Sequence, residues 1–229
     1  MICLTFLGLM PQNLPLPPSE LDLKSDVVFN ASNPLLMRQL STCVGAGSLE
    51  DKMGRWYRFV RDAIRYDPYS IDWSEKANSA SRTLENQRGH CVHKSVLFIA
   101  GLRALGVPAR LGLARVANHL GTESLERKLG SHILSPHGYA AHWDGSKWVK
   151  STPVFNAELC QRLGTEPLEW SQHEDRLLQA SDSSGCRFME YLEDFGLHST
   201  LPVALIHEKL KAEYPKCFDG SGQWRLIGE

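Results

Sequence analysis

The segment RGHCVHKSVLFIA, residues 88–100, joins a polar loop that contains glycine to a long apolar run. An apolar run of this length that ends at Gly106 predicts a buried helix, which begins at Cys91 and extends to about Leu105. The first backbone N–H groups of a helix have no partner within it, and with the helix dipole they favour a thiolate over a thiol. The sequence therefore predicts a nucleophilic cysteine with a lowered pKa at position 91.

Composition restricts the class of protein. The chain has 229 residues, of which 42% are hydrophobic and 22% are charged, and this predicts one globular domain. Its 25 basic and 26 acidic residues give a formal charge of −1, so we expect neither a nucleic-acid partner nor a membrane partner. The six cysteines include no Cys-x-x-Cys pair, which argues against a disulfide framework or a zinc ribbon and favours a reducing, cytoplasmic compartment.

The chain is predicted to divide into three parts of one domain. Residues 1–26 are interpreted as an N-terminal arm and a proline-rich connector, because their apolar start lacks the basic residues and the cleavage site of a signal peptide. Residues 27–165 are predicted to form the core. Residues 166–229 are predicted to be a C-terminal extension that packs on this core.

Periodicity predicts the remaining elements. Apolar residues at three-to-four spacing indicate two amphipathic helices, and Ser48 is placed to cap the second, with Asp51 in its first turn. In chain order we predict a helix over 34–44, a helix over 49–64, mostly loop over 70–90, the Cys91 helix, a strand over 107–116, a polar excursion over 118–136, a two-stranded hairpin, a helix over 156–163 and a helix over 201–214.

The predicted hairpin indicates which histidine could act as a base for the thiol. Asp144-Gly145 favours a two-residue turn, and the constant index sum of an antiparallel pair then places His137 directly opposite Thr152. His142 has the opposite parity and is expected on the other face of the sheet. His137 also opens its predicted strand, where substrate can reach it, so we prefer it as the base for Cys91.

These residues together resemble the transglutaminase-like superfamily. The resemblance rests on GHCVHKS at 89–95 with LRALGVPAR at 102–110, and on HGYAA at 137–141 with KWVKSTP at 147–153. Further features are similar to a bacterial branch of that superfamily, namely Phe155-Asn156, Glu158-Leu159-Cys160, Pro167-Leu168-Glu169 and Met189-Glu190-Tyr191. The resemblance implies an α+β, papain-like fold in which N-terminal helices pack on a small antiparallel sheet and the nucleophile begins the central helix.

The resemblance also implies catalytic roles. Cys91 is the expected nucleophile and His137 the general base and acid. The third position falls on Thr152, where family members commonly carry Asp; its hydroxyl can accept a hydrogen bond from the imidazole but brings no charge. Asn156 is an alternative orienting group, and Ala141 stands where many relatives have Glu.

An oxyanion would need hydrogen-bond donors near the thiol. The backbone N–H of Cys91 is one candidate, and the side chain of Asn86 or Gln87 is predicted as a second. His90 and His93 flank the cysteine, but ligands adjacent at a helix start point in different directions, so we predict no metal site. His119 and His132 are expected in a loop, with a lid role left open.

The implied activity is thiol acyl transfer on the carboxamide or peptide bond of a peptide or protein substrate, with no cofactor. Hydrolysis by a cysteine peptidase or amidase is preferred to transfer onto an amine. A non-catalytic domain that keeps the fold and binds a peptide or partner is the alternative, because Thr152 replaces the usual carboxylate.

Overall fold

The computed structural model describes residues 16–69, 72–119, 123–177, 189–219, 221 and 223–227. Its main elements are α1 (Pro34–Val44), α2 (Leu49–Ala63), β1 (Arg65–Tyr66), α3 (Ala80–Asn86), β2 (Arg88–Gly89), α4 (Cys91–Ala104), β3 (Ala109–Asn118), α5 (Glu123–Leu129), β4 (Ile133–Trp143), β5 (Trp148–Ser151), α6 (Ala157–Arg162), β6 (Met189–His198) and α7 (Val203–Glu213). Short 3-10 helices cover Glu20–Asp22 and Pro215–Cys217. Within these ranges no helix has both the length and the apolar character needed to cross a bilayer.

The core is a central helix between other helices and a sheet. Strands β5, β4, β3 and β6 form, in this order, a four-stranded antiparallel sheet. Helix α4 packs on β3 and β4, and α1, α2 and α3 also contact it. Every residue of α4 except Ala104 is buried, which explains why its middle part, residues 96–102, is apolar throughout. The expected α+β fold, with Cys91 at the start of its central helix, is confirmed.

Local signals placed the first helices correctly. The Ser48 hydroxyl accepts a hydrogen bond from the Asp51 N–H at 3.1 Å, and the Asp51 carboxylate accepts one from the Ser48 N–H at 3.1 Å. This reciprocal cap starts α2 where the sequence predicts it. Gly106, with a φ of 80°, follows the end of α4 in the left-handed region that glycine tolerates best.

Besides the two-residue strands β1 and β2, three longer elements were not predicted. Helix α3 lies in the segment expected to be loop, and α5 lies in the polar excursion. Both span only 7 residues, and helices this short depend on packing: α3 contacts α1 and α4 and buries Thr83 and Leu84. Strand β6 pairs along β3 at the edge of the sheet, where a strand needs little apolar alternation.

The hairpin register differs from the prediction. Asp144 accepts hydrogen bonds from the N–H groups of Ser146 and Lys147, both at 2.8 Å, and this closes a four-residue turn instead of the predicted two-residue one. Trp143 therefore pairs with Trp148, and the direct pairing of His137 with Thr152 is wrong. Because the register shifts by an even number of residues, alternation still leaves these two residues on one face and His142 on the other.

A buried ion pair ties the N-terminal segment to the sheet. The Arg110 guanidinium donates to both carboxylate oxygens of Asp22, at 2.8 and 2.9 Å, and the Ser199 hydroxyl donates to the same carboxylate at 2.6 Å. The C-terminal part also contacts the helices, because the Tyr57 hydroxyl donates to the Leu168 carbonyl at 3.1 Å. Residues 1–15 of the predicted arm lie outside the described residues, and the predicted boundaries after residues 26 and 165 stay predictions.

Candidate active site

The start of α4 meets strand β4 at Gly138. A Cβ atom at this position would lie only 2.8 Å from the Cα of Val92, so a residue with a side chain would force the helix and the strand apart. The close approach brings the backbone N–H of Gly138 near the sulfur of Cys91, where it acts to lower the pKa of the thiol. The structure thus joins the two halves of the sequence motif, because Gly138 directly follows His137.

The electrostatics of Cys91 differ from the prediction. Burial raises the pKa of the Cys91 thiol to about 11, although hydrogen bonds from the backbone N–H groups of Gly138 and Val92 act in the opposite direction. The predicted lowering of this pKa is wrong because desolvation of a thiolate outweighs the helix start here. At neutral pH the resting group is therefore a thiol, and 8% of the residue surface is exposed to solvent.

His137 is enclosed in the sheet. It lies inside β4 rather than at its start, so the prediction that it opens the strand is wrong, and none of its surface is exposed. Burial lowers the pKa of His137 to about 4. Neither ring nitrogen has a hydrogen-bond partner among the described residues. A neutral imidazole with an available lone pair is the form that accepts a proton from a thiol.

The predicted orienting groups do not bind this ring. The Thr152 hydroxyl is buried and forms no hydrogen bond with a described residue. It lies beside the hydroxyl of Tyr191: burial raises the pKa of that phenol and Thr152 lowers it in part, but the pair lacks good hydrogen-bond geometry. Asn156 precedes helix α6 and forms no hydrogen bond with His137 either. Within the described residues, the expected triad is therefore at most a dyad.

The predicted oxyanion side chains point elsewhere. Gln87 adopts a left-handed conformation with a φ of 51° at the end of α3, and its side-chain amide donates to the Leu84 carbonyl at 2.7 Å. Asn86 lines a different pocket, together with Arg88 and His93. Neither residue lines the cleft that contains Cys91. The prediction of an oxyanion donor from these two side chains is corrected accordingly.

A largely apolar cleft opens above Cys91. Its walls come from the segment before α4, the polar excursion, the start of β4 and the C-terminal part of the chain. The leucine and aromatic side chains of these walls are Tyr66, Trp73, Leu125, Leu129, Leu134, Leu210, Tyr214 and Trp224. Helix α5, which the sequence did not predict, therefore serves as a wall of the candidate site.

Two histidines cap helix α4 at its start, a feature the sequence analysis missed. The His90 Nδ1 accepts from the Val92 N–H at 3.2 Å, and the His93 Nδ1 accepts from the His90 N–H at 3.3 Å. The ring centroids lie 3.8 Å apart. The spacing of a capping box, with residue N-cap and residue N3 both able to accept hydrogen bonds, was the signal in the sequence.

This cap fixes the protons of the two rings. Burial lowers the pKa of His90 and His93, so both rings are neutral at pH 7, and an accepting Nδ1 assigns the proton to Nε2. Among the described residues, neither the buried His90 Nε2–H nor the indole N–H of Trp73, whose ring lies 5.0 Å from His90, has an acceptor. Both residues line the cleft that contains Cys91, so their N–H groups are candidate donors for a ligand there.

The other histidines lie away from this cleft. The His142 Nε2 is 3.0 Å from the Gln172 carbonyl oxygen, on the opposite face of β4, as predicted from its parity. His119 lies 3.7 Å from Glu190, and its ring centroid is 6.4 Å from that of His132. Across the described part of the chain, no group of three His, Cys, Asp or Glu side chains is arranged to hold a metal ion.

The family model of the transglutaminase-like superfamily matches residues 38–153, just over half of the chain. The chain belongs to the transglutaminase-like superfamily. Members of this superfamily are often cysteine peptidases or acyltransferases. The segment that matches the superfamily contains α4 and β4, and hence Cys91 and His137.

Two solved structures are similar to this transglutaminase-like chain. A candidate cysteine protease from Cytophaga hutchinsonii shares 15% identity with a TM-score of 0.45, over 77% of this chain and 53% of the other. A structure described as a TGase shares 18% identity with a TM-score of 0.37, over 55% of this chain and 32% of the other. The chain thus spans about half the length of the first and a third of the second. No sequence among the curated proteins matches it.

Proposed function

We propose that this transglutaminase-like chain is a thiol acyl-transfer enzyme that acts on a carboxamide or peptide bond. The observation that carries the proposal is the close packing of β4 on the start of α4, where a Cβ atom at Gly138 would lie only 2.8 Å from the Cα of Val92. That contact sets the thiol against the strand of His137, whose ring nitrogens are both available. The opening of the apolar cleft at the same cysteine gives a substrate access to it.

His137 is a better base than His90, although His90 is adjacent to the nucleophile. The Nδ1 of His90 already accepts the Val92 N–H, and its Nε2 carries the proton. The His137 ring has no such commitment. The low pKa of His137, about 4, keeps it in the basic form throughout the neutral range.

The chemistry then proceeds in two transfers. The Cys91 proton passes to His137 as the sulfur attacks the carbonyl carbon, and the developing oxyanion accepts hydrogen bonds from the Cys91 N–H and from N–H donors of the cleft. His137 returns the proton to the leaving amine, and a thioester remains on Cys91. Attack by water gives a carboxylic acid and restores the thiol, whereas attack by an amine gives a new amide.

Hydrolysis is the preferred second transfer. Water needs no binding site of its own, whereas an acceptor amine has to be held close to the thioester to compete with it. A peptide or protein carboxamide is the proposed substrate class. These assignments describe a cysteine peptidase or amidase.

A binding domain that lacks catalysis is the second candidate. It is favoured by one observation: no described residue orients His137, because Thr152 forms no hydrogen bond with it and brings no carboxylate. In this case the cleft would bind a peptide and leave it unchanged.

Acylation by p-nitrophenyl acetate separates the two candidates. The enzyme should release a burst of nitrophenol and carry an acetyl group on Cys91, located by peptide mass spectrometry, faster than on Cys43, a half-buried thiol outside the cleft. Cys91→Ser should abolish the burst, and Cys43→Ser should leave it unchanged. Equal acetylation of Cys91 and Cys43, with no effect of His137→Ala, would exclude the enzyme and leave the binding domain.

A further inference from the structure

We infer that the cleft above Cys91 selects an acyl group with an uncharged side chain, either aromatic or large and aliphatic. The inference rests on the proposed function, since it describes the acyl group that the thiol would attack. It assigns to that site a substrate class, whereas the chemistry of a thiol nucleophile alone is indifferent to the side chain of the acyl group.

The first argument is the chemistry of the walls. Leucines from α5, β4 and α7 face the same space as Tyr214 and Trp224. Among the described residues that line the cleft, none is Asp, Glu, Lys or Arg. A charged substrate side chain would lose its hydration there without gaining a partner, whereas an apolar one gains by leaving water.

The second argument is that the walls are fixed before a ligand binds. Leu129 and Leu210 belong to the buried core. The Trp224 ring packs edge-on against Tyr214 at 5.8 Å and against Phe218 at 5.3 Å. A preformed apolar wall selects by shape, because little ordering of side chains has to accompany binding.

The third argument is the polarity of the end of the cleft near the thiol. The N–H groups of Trp73 and His90 are buried donors without acceptors in the described chain. A ligand oxygen, such as the carbonyl oxygen of an N-acylated amino acid, would satisfy them. The cleft thus combines unpartnered N–H groups with apolar walls, which fits an acyl compound with a carbonyl next to an apolar side chain.

Part of the cleft wall comes from residues outside the segment that matches the superfamily. Leu210, Tyr214 and Trp224 follow residue 153, where the match to the superfamily ends. The preference for an apolar acyl group is therefore attributed to the C-terminal part of the chain, which closes one side of the cleft.

Peptide aldehydes test the inference. An aldehyde forms a bond between its carbonyl carbon and the Cys91 sulfur, and the thiol proton ends on the carbonyl oxygen, so the reversible adduct needs no other reactant. Binding of the N-acetyl aldehydes of phenylalanine, leucine, glutamate and lysine would be measured by calorimetry on the full chain. We expect the phenylalanine and leucine compounds to bind about tenfold or more tightly than the charged ones. Equal affinities, or a preference for a charged compound, would overturn the inference.

The Cys91→Ser variant separates this inference from the proposed function. It is titrated with the N-acetyl methylamides of the same amino acids, which bind without a covalent bond. If the apolar ranking persists there but no aldehyde adduct or acetyl-enzyme forms on the wild type, the enzyme proposal fails and the ligand class stands. If adducts form with all four aldehydes alike, the enzyme proposal stands and the ligand class fails.

Two tryptophan variants locate the selectivity. Trp224→Ala removes an aromatic wall and should weaken binding of the phenylalanine aldehyde about fivefold or more, with little effect on the lysine compound. Trp143→Ala is the matched control, because Trp143 is also half-buried but packs on Trp148, at 5.6 Å, outside the cleft. An equal loss in both variants would count against the inference.

Discussion

The hydroxyl of Tyr214 accepts a hydrogen bond from the backbone N–H of Ser135 at 2.8 Å. The same hydroxyl donates to the carbonyl of Ile133 at 2.7 Å. Tyr214 directly follows α7, and Ser135 lies two residues before His137 on β4. The C-terminal helix is thereby attached to the strand that carries the proposed base, so we expect this contact to affect both stability and the proposed acylation of Cys91.

Removal of the Tyr214 hydroxyl should lower both the stability of the fold and the rate of acylation of Cys91. Tyr214→Phe leaves a buried N–H and a buried carbonyl without their partner, which we expect to lower the free energy of unfolding by about 1–3 kcal/mol. The loosened strand should also slow acylation of Cys91. Urea denaturation and the p-nitrophenyl acetate burst would measure the two effects. Tyr69→Phe, at an exposed tyrosine, is the control, and an equally small effect of both variants would contradict the prediction.

The indole N–H of Trp73 should act on the rate rather than on binding. Trp73→Phe keeps an aromatic ring in the cleft but removes a donor, so we expect kcat for acylation to fall about ten- to hundredfold with little change in KM. Trp170→Phe is the matched control, because its indole N–H is also buried and unpartnered in the described chain but lies near His142. A loss confined to KM would show that Trp73 only packs against substrate.

Alkylation of Cys91 should rise steeply with pH. Iodoacetamide reacts with the thiolate, and burial places the pKa of this thiol near 11, so the rate should increase about tenfold per pH unit between pH 7 and pH 10. Cys43→Ser is a suitable background for the measurement, with the adduct located by mass spectrometry. A rate that is already constant at pH 6–7 would instead reveal a thiolate paired with a protonated histidine.

The buried histidines predict acid sensitivity. The pKa values of His93 and His137 are about 4 in the folded chain and about 6.5 when unfolded, so between these values the unfolded chain binds protons that the folded chain does not. Stability should be fully present above pH 6.5 and fall as the pH decreases toward 4, with a limiting slope of about 1.4 kcal/mol per pH unit for each group. Denaturation curves at several pH values would measure this slope.

Substitution of one histidine tests the origin of this slope. His93→Gln should flatten the dependence of the unfolding free energy on pH, because it removes one of the titrating groups. His207→Gln changes an exposed histidine on α7 and should leave the slope as it is. If both variants keep the wild-type slope, carboxylates rather than buried imidazoles govern the acid sensitivity.

Local sequence signals predicted most of the fold. The Ser48 cap, the apolar run after Cys91 and Gly106 each act within a few residues, so they could be recognised without the rest of the chain. The turn at Asp144 could not, because its carboxylate competes for the N–H groups of Ser146 and Lys147 and lengthens the loop. Helix α3 is stabilised by packing against α4, and strand β6 by pairing with β3. No local sequence pattern predicts these contacts.

In the candidate site, too, some features could be predicted from the sequence and others could not. The motif identified Cys91 and His137, and the contact at Gly138 brings their segments together. The thiol pKa was mispredicted because it depends on what encloses the helix start, a property of the whole fold. The donors on Trp73 and His90 were missed because only the structure shows which N–H groups are left without acceptors.

Gly138 has a consequence for how the reactivity of this thiol can change. The residue has no functional group, but its lack of a side chain lets the helix and the strand pack closely. A Cβ atom at this position would lie only 2.8 Å from the Cα of Val92. Even alanine there would push apart the segments of Cys91 and His137, the proposed nucleophile and base, while leaving every polar residue of the site in place. A chain can therefore lose this chemistry with its Cys and His both intact, and inspection of those two residues alone would not detect the loss.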